Sequence, residues 1–338
     1  MPFVRNTGGF PPDTGSGSSE NTAPAKAKKA EVEYFPSEPK YCMDDLIVTE
    51  KVHDELQTII EAERCWKQVF DDWGLGSVMA DKRNLFVNLY GEPGTGKTMA
   101  AHAIAHSLNK KMICVNYAEI ESKYVGETSK NLTKLFRTAQ EKNVIIFFDE
   151  ADAFLSKRVT NMSSSTDVSV NQTRSVLLTL LNDYKGMVIF ATNFISNYDV
   201  AFMRRIHYHV RFELPNLELR KKLWHRYMPP KMPTDADIDV ISGKFDGISG
   251  SDISTAVLKA ALKSARLGNG CVKSEFIEEA VTSILNSKNE NTPVTVTKRV
   301  VSEEYALSQI KKANGGVLPA EYAKENNAAN DIESGGQT

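Results

Sequence analysis

The chain of 338 residues has little cysteine, no long apolar run and no excess of either charge. Its four cysteines stand far apart and form no CxxC pair, which excludes a zinc ribbon, a dithiol redox site and a disulfide scaffold. Isolated thiols in a chain of this length indicate a reducing compartment. We expect them to be buried apolar side chains without a function of their own.

Membrane and nucleic-acid partners are also disfavoured. The longest apolar strings, such as Val144–Phe148, are much shorter than the ~20 residues that a membrane helix needs. The N-terminal sequence MPFVRNTGGFPP lacks the apolar core of a secretory signal. With 41 basic and 43 acidic residues the net charge is −2, so no global field recruits nucleic acid. We therefore expect a cytoplasmic protein.

The middle of the chain alternates between two kinds of pattern. Short runs rich in β-branched and aromatic residues are LFVNLY (85–90), MICVNY (112–117), VIIFFD (144–149), GMVIFAT (186–192) and HVRFEL (209–214). Helical patterns separate them at Lys97–Leu108, Thr128–Glu141 and Val170–Tyr184. Strands that alternate with helices predict an α/β fold with a parallel sheet covered on both faces.

Composition divides the chain into four parts. Residues 7–24 are nearly all Gly, Pro, Ser, Thr and Asn and cannot bury enough apolar surface to offset their ordering entropy. After Pro215 the strand patterns stop and only helical patterns continue. The predicted parts are a flexible N-terminal arm (1–40), a large α/β domain (41–215), a small helical domain (216–288) and a polar C-terminal tail with one short helix at 301–313 (289–338).

A glycine-rich loop joins the first strand to the first helix of this α/β domain. The sequence GEPGTGKT at 91–98 fits the pattern G-x-x-x-x-G-K-[ST], whose glycines let backbone N–H groups turn onto a phosphate. The helix N-terminus adds partial positive charge, Lys97 would reach the β- and γ-phosphates, and Thr98 would ligate Mg²⁺. The motif predicts ATP and Mg²⁺ as ligands. The predicted binding residues are Glu92, Pro93, Gly94, Thr95, Gly96, Lys97 and Thr98.

Polar side chains follow two of the later strands. IIFFDEAD (145–152) places Asp149 and Glu150 at a strand end, where parallel sheets bind ligands. Asp149 would hold the Mg²⁺ shell and Glu150 would polarise the attacking water. Asn193, after the strand VIFAT, would orient that water without adding charge. The alternatives are a helix-capping acid pair and a simple turn asparagine.

These motifs together carry a family resemblance. The order GEPGTGKT, SKYVGET, IIFFDEAD, ATN, AFMRRI and ISGSDI resembles the AAA clade of the AAA+ ATPases, which includes katanin, spastin and the proteasomal ATPases. The match runs from about Asp44 to Ser287. It implies a P-loop NTPase fold with a five-stranded parallel sheet and a helical lid. It also implies Mg²⁺-dependent ATP hydrolysis by a ring, usually a hexamer, that pulls protein substrates through its pore.

The resemblance also assigns roles to residues outside the P-loop. Arg204 and Arg205 match the arginine-finger pair that reaches the neighbouring subunit's γ-phosphate, although without the family they would read as solvated arginines. Asn193 matches the sensor asparagine. Gly250 and Ser251 match the lid signature near adenine and ribose.

The segment SKYVGET resembles the pore loop of members that thread their substrates. Its triplet Tyr124, Val125 and Gly126 would grip the threaded chain, the tyrosine by intercalation and the valine by apolar contact. The alternative is that Tyr124 packs beneath its own loop.

Three functions remain to be compared. The favoured one is an ATP-driven remodeller that unfolds, disassembles or resets a partner protein, which an adaptor could recruit. The ATPases that remodel HORMA-domain proteins are possible relatives. The remodeller would work as a homo-hexamer. The alternative is a nucleic-acid-linked AAA+ ATPase of the clamp-loader or initiator kind. A non-hydrolysing switch is disfavoured because Glu150, Asn193 and both arginines are present.

Overall fold

A computed structural model describes residues 33–79, 84–115, 120, 127–155, 165–193 and 198–291. The chain divides into two compact units, Met1–Val281 and Thr282–Thr338. The first contains the whole sheet and most of the described helices. Of the second, the structure describes only the end of the last helix.

A five-stranded parallel sheet forms the centre of the first unit, as the sequence predicted. Its strands are β1 (Leu85–Gly91), β2 (Met112–Val115), β3 (Ile145–Phe148), β4 (Met187–Thr192) and β5 (Tyr208–Phe212). Their spatial order is β2-β3-β4-β1-β5, and every neighbouring pair is parallel. Strands β3 and β4 are buried along their whole length, which suits a sheet with packing on both faces.

Helices cover both faces of this sheet. They are α1 (Glu50–Lys67), α2 (Lys97–Ser107), α3 (Glu127–Lys142), α4 (Asp152–Leu155), α5 (Ser165–Asp183) and α6 (Val200–Met203). Alternate strand residues serve opposite faces: Phe147 packs with the α1 and α2 side, and Phe148 with the α3 and α5 side. The two apolar layers hold the strand ends in fixed positions.

Two helical stretches differ from the prediction. Helix α1 was not predicted, although its signals are present: Thr49 caps it by accepting a hydrogen bond from Val52 N, and Val52, Leu56 and Ile59 form a buried stripe at helical spacing. Helix α5 begins at Ser165, five residues before the predicted start at Val170.

The predicted N-terminal arm ends too late. Tyr34 is buried, and Ser37 pairs with Met112 at the edge of the sheet through Ser37 N to Met112 O (2.8 Å) and Met112 N to Ser37 O (3.0 Å). Lys40 N donates to Nδ1 of His102 at 3.2 Å. These contacts add residues 33–40 to the folded unit, because an edge strand offers unpaired backbone groups. The residues 1–32 lie outside the description.

The expectation of buried cysteines was wrong. None of the four cysteines forms a disulfide; Cys65 and Cys114 are exposed, while Cys42 and Cys271 are half-buried. Cys114 is the one exposed residue of the edge strand β2. Neither exposed thiol lies at a position that the sheet and its helices cover.

Between β5 and residue 291, where the description ends, the regular elements are all helices, as expected. They are α7 (Leu217–Tyr227), α8 (Ile238–Lys244), α9 (Gly250–Arg266) and α10 (Ser274–Asn291). The buried Arg220 of α7 donates to Pro215 O (3.0 Å) and Ser242 O (3.1 Å). It therefore connects the segment that follows β5 to α8. None of the described helices is long and apolar enough to span a membrane. The C-terminal helix predicted at 301–313 lies outside the described residues.

Candidate nucleotide site

The loop after β1 has the backbone that a phosphate cradle needs. Gly94 and Gly96 have positive φ angles of 76° and 103°, which side-chain-bearing residues adopt at a cost. Gly96 is also the N-cap of α2, directly before its first residue. The loop is braced internally, since the Thr95 hydroxyl donates to Glu92 O at 2.7 Å. The N-terminus of an eleven-residue helix therefore opens directly from a loop without side-chain obstruction at its glycines.

The ammonium group of Lys97 lies inside this loop. Its Nζ donates to Gly91 O and Glu92 O, each at 2.8 Å, and only 8% of the residue is exposed. Burial lowers the pKa of Lys97, while the carboxylates of Asp149, Asp152 and Glu92 act in the opposite direction. A phosphate in the cradle would replace neutral carbonyls with a charged acceptor, which is the stronger partner for an ammonium.

Thr98 and Asp149 meet across the gap between α2 and β3. The Thr98 hydroxyl donates to Asp149 Oδ2 at 3.1 Å, and the other carboxylate oxygen accepts from Glu150 N at 3.0 Å. A hydroxyl and a carboxylate oxygen at this separation are ligands that Mg²⁺ prefers. The donor set therefore fits this ion. Glu150 itself has a left-handed φ of 51°, an uncommon conformation that is typical of functional turns.

Asn193 follows β4 and lies, like Asp149 after β3, at the carboxyl end of a parallel strand. Its backbone N–H donates to Asp152 Oδ2 at 3.4 Å, and the hydroxyl of Thr192 donates to Asp152 Oδ1. The sequence analysis assigned no role to Asp152, although this residue is the last of the DEAD tetrapeptide (149–152). Its partners come from another strand, and no local pattern shows that contact.

One cavity of about 700 Å³, a size that suits a nucleotide, brings most of the predicted residues together. Those that line it are Pro93, Gly94, Thr95, Gly96, Lys97, Thr98, Asp149, Glu150, Asn193, Gly250 and Ser251. Glu92 is not part of the lining, but its carbonyl accepts from Lys97 and Thr95. Apolar residues that the sequence did not indicate complete the wall, namely Leu46, Ile47, Val48, Leu219 and Leu223.

The beginning of α9 contacts the phosphate loop. Ser249 caps this helix in a reciprocal capping box with Asp252, and Ser251 N donates to Gly94 O at 3.2 Å. A Cβ at Gly94 would lie 2.6 Å from Ser249 Oγ, so the two segments approach as closely as a glycine permits. The helices after β5 therefore form part of the cavity wall.

A charged pair connects two further parts of that wall. Arg226 of α7 donates to Asp45 Oδ1 at 2.6 Å. The pKa of Asp45 is lowered, first by the backbone N–H of Cys42, then by its thiol and by Arg226. The sequence offered no signal for this pair because 181 residues separate its members.

The other predicted residues lie elsewhere. Arg204 and Arg205 follow α6 and do not line the cavity. Arg205 donates to Asn182 Oδ1 (2.8 Å) and Ala201 O (2.7 Å), whereas Arg204 is exposed and has no hydrogen bond to another described side chain. The triplet Tyr124, Val125 and Gly126 lies outside the described residues.

A glycine-rich loop between a central parallel strand and a helix, with a lysine inside it, defines a P-loop nucleoside triphosphatase fold. Residues 87–214 match the ATPase family associated with various cellular activities (AAA). The chain therefore contains an AAA ATPase domain, and the resemblance noted in its motifs is confirmed.

Two relatives illustrate the similarity. The chain is 33% identical over 253 residues to the 26S proteasome regulatory subunit 8 homolog of Saccharomyces cerevisiae, covering 72% of this chain and 60% of that protein. It is 32% identical over 253 residues to the proteasome-activating nucleotidase of Sulfurisphaera tokodaii, covering 72% and 62%. The chain thus spans about 60% of the length of these relatives.

Proposed function

We propose that this protein is a Mg²⁺-dependent ATPase of the AAA+ type that uses hydrolysis of ATP to ADP and phosphate to remodel a partner protein. The observation that carries the proposal is the meeting, in one cavity, of the phosphate loop with the polar ends of β3 and β4. Relatives whose names connect them with the proteasome support the remodelling part. The nucleic-acid-linked alternative has no observation in its favour.

Binding of the triphosphate would use groups that already face one another. The loop from Glu92 to Gly96 and the start of α2 surround the phosphates, and Lys97 exchanges its two carbonyl partners for phosphate oxygens. Thr98 and Asp149 would hold Mg²⁺, which supplies positive charge beside the β- and γ-phosphates. Gly250 and Ser251 line the same cavity and would lie beside the base and ribose.

Hydrolysis requires a water that is both activated and aligned. Glu150 would accept hydrogen bonding from this water and take its proton as it attacks the γ-phosphorus. The Asn193 side chain would orient the water by hydrogen bonding, and it lines the same cavity. Asp149 and Glu150 both line the cavity, so that the two adjacent carboxylates could serve different ligands, Asp149 the metal ion and Glu150 the water.

Completion of the site would need a second copy of the chain. Arg204 and Arg205 do not line their own cavity, so we propose that they serve the γ-phosphate of a neighbour in a homo-hexameric ring. Such arginines offset the negative charge of phosphoryl transfer and are worth ~10³–10⁵ in rate. Within the ring, Tyr124, Val125 and Gly126 would contact the protein substrate, which an adaptor could deliver.

The test compares two variants of the full chain. Glu150→Gln should bind ATP and assemble but lose hydrolysis by ~10²–10⁴-fold, the usual reach of a general base. In the presence of ATP, this variant should therefore retain its substrate, which affinity purification recovers and mass spectrometry identifies. Lys97→Ala is the matched control: it weakens ATP binding itself and should retain nothing.

Three outcomes would contradict the proposal. Near-normal hydrolysis by Glu150→Gln would overturn the role of that residue. Retention of nucleic acid in place of protein would support the clamp-loader or initiator alternative. Undiminished retention by a Glu150→Gln/Tyr124→Ala double variant would count against the pore-loop role of Tyr124.

A further inference from the structure

Asp152 connects the two segments that carry the proposed water-binding groups. It follows Glu150 by two residues and is the first residue of α4. Its carboxylate accepts from the Thr192 hydroxyl and from the backbone N–H of Asn193, at 3.4 Å for the latter. One side chain on the Glu150 segment therefore holds both residues at the end of β4.

A main-chain bond joins the same two segments. The register of β3 against β4 ends at Phe148 and Phe190. Beyond it, Ala151 N donates to Ala191 O at 2.8 Å, and the Asp152 contacts follow in the next positions. The connection thus continues past the end of the ladder, across a turn in which Glu150 has a left-handed backbone. Such a turn persists when its surroundings hold it in place.

Thr192 also contacts a buried polar side chain that is bound to strand β1. The hydroxyl of the buried Tyr198 contacts Thr192 and donates to Asn88 Oδ1 at 3.2 Å. Asn88 is fully buried in the interior strand β1. The carboxylate of Asp152 is therefore the outer member of a series of polar contacts that runs through Thr192 and Tyr198 to β1 inside the sheet. Hydrogen bonds in a buried setting restrict the positions of the groups that they join.

We propose that Asp152 is a positioning residue for ATP hydrolysis: it sets the Asn193 side chain relative to the Glu150 carboxylate so that both address one water. Asp152 does not line the cavity, so it acts through these two residues and not on the nucleotide. The inference rests on the proposed function, since it presumes that Asn193 and Glu150 serve hydrolysis. A purely structural reading would make Asp152 the N-terminal residue of a four-residue helix and nothing more.

The first experiment separates kcat from KM. Asp152→Ala should lower kcat for ATP by ~10–100-fold, the scale expected when catalytic groups shift by about 1 Å. KM and the affinity for ATP should change by less than about threefold, because the phosphate loop is intact. Asp152→Asn should recover most of kcat, since its amide oxygen can still accept from Asn193 N while its NH₂ meets a rotated Thr192 hydroxyl.

A double-variant cycle tests whether Asp152 acts through Asn193. Asn193→Ala alone should lower kcat, and Asp152→Ala/Asn193→Ala should be no slower than Asn193→Ala, because the positioned group is already absent. Multiplied effects in the double variant would overturn the inference and leave the proposed function standing. Wild-type kcat in Asn193→Ala would instead overturn the proposed role of Asn193, and the inference with it.

A milder variant covers the case in which Asp152→Ala does not fold. Thr192→Val removes only the hydroxyl that Asp152 holds and keeps the shape of the side chain. It should lower kcat by ~3–10-fold at unchanged KM, and more than Thr192→Ser, which retains the hydroxyl. Equal kcat in Thr192→Val and the wild type, with a normal melting temperature, would overturn the role of this network in positioning.

Discussion

Gly94 shows what a missing side chain does in this molecule. It has a φ of +76°, and a Cβ there would lie 2.6 Å from Ser249 Oγ and 2.7 Å from Ser251 Cβ. Gly247 is a natural comparison, because its φ of +74° is nearly the same while nothing lies within 4 Å of the position of its Cβ. The pair separates backbone strain from the contact between the phosphate loop and α9.

We predict different costs for alanine at these two positions. Gly247→Ala should lower the free energy of unfolding by about 1–2 kcal/mol, the cost of a left-handed backbone for an L-residue, and leave ATP affinity unchanged. Gly94→Ala adds a collision and should lower ATP affinity at least about tenfold by displacing the start of α9. Denaturant unfolding and nucleotide titration measure the two effects. Equal ATP affinities would show that the close approach at Gly94 does not matter for binding.

At the scale of elements, His102 joins α2 to the segment at the sheet edge. Its Nδ1 accepts from Lys40 N, and its ring makes an edge contact with that of Tyr41 at 5.8 Å between centroids. Burial lowers the pKa of His102, and the positive charge of Lys40 lowers it further, while Asp149 acts in the opposite direction. The neutral ring is therefore the form that this contact requires.

The sign of the pH effect follows from that lowered pKa. Below about pH 6.5 the unfolded chain protonates this histidine before the folded one does, so the stability contributed by neutral His102 is lost as the pH falls towards its folded pKa. We predict that the free energy of unfolding, measured by urea titration from pH 7.5 to 5.5, falls less steeply in His102→Asn. His106→Asn, at an exposed position of the same helix, is the control and should retain the wild-type slope.

Part of that slope will remain in His102→Asn. Burial also lowers the pKa of His209 on β5, so this second histidine loses its stabilising effect in the same direction as the pH falls. The prediction is therefore a reduced slope and not a flat profile. An unchanged slope in His102→Asn would contradict the assignment of a neutral His102 to the folded state.

At the scale of the whole molecule, the two arginines after α6 differ in their surroundings. Arg205 is bound within its own chain to Asn182 and Ala201, whereas Arg204 is exposed. Arg204→Ala should therefore leave the melting temperature unchanged, while Arg205→Ala should lower it. Both should bind ATP normally and hydrolyse it slowly if they act on a neighbour.

Mixed assemblies provide the decisive measurement for this shared site. Arg204→Ala and Glu150→Gln subunits should each be slow alone. When they are mixed, some interfaces join an intact Glu150 to an intact Arg204, and hydrolysis should partly recover. Absence of recovery in assemblies shown to be mixed would contradict a trans-acting arginine, as would full activity in a monomer.

The sequence by itself determined the sheet and the phosphate loop. Short apolar runs are enough to place the strands. A parallel strand is buried on both faces, so that nearly all of its own residues are apolar. The phosphate loop was equally predictable, because a bound phosphate requires glycines, a lysine and a threonine at fixed spacing. Helix α1 was not predicted, although Thr49 and the apolar stripe after it are local signals of a helix.

Only the tertiary structure decided which distant residues share the site. Asp152 reaches Thr192 forty residues away, Asp45 meets Arg226, and Ser251 reaches Gly94. These contacts depend on the order β2-β3-β4-β1-β5, which brings the ends of β3 and β4 together and places later helices over the loop of β1. Local patterns cannot reveal them, because each partner's own segment is compatible with many neighbours and packing selects among these.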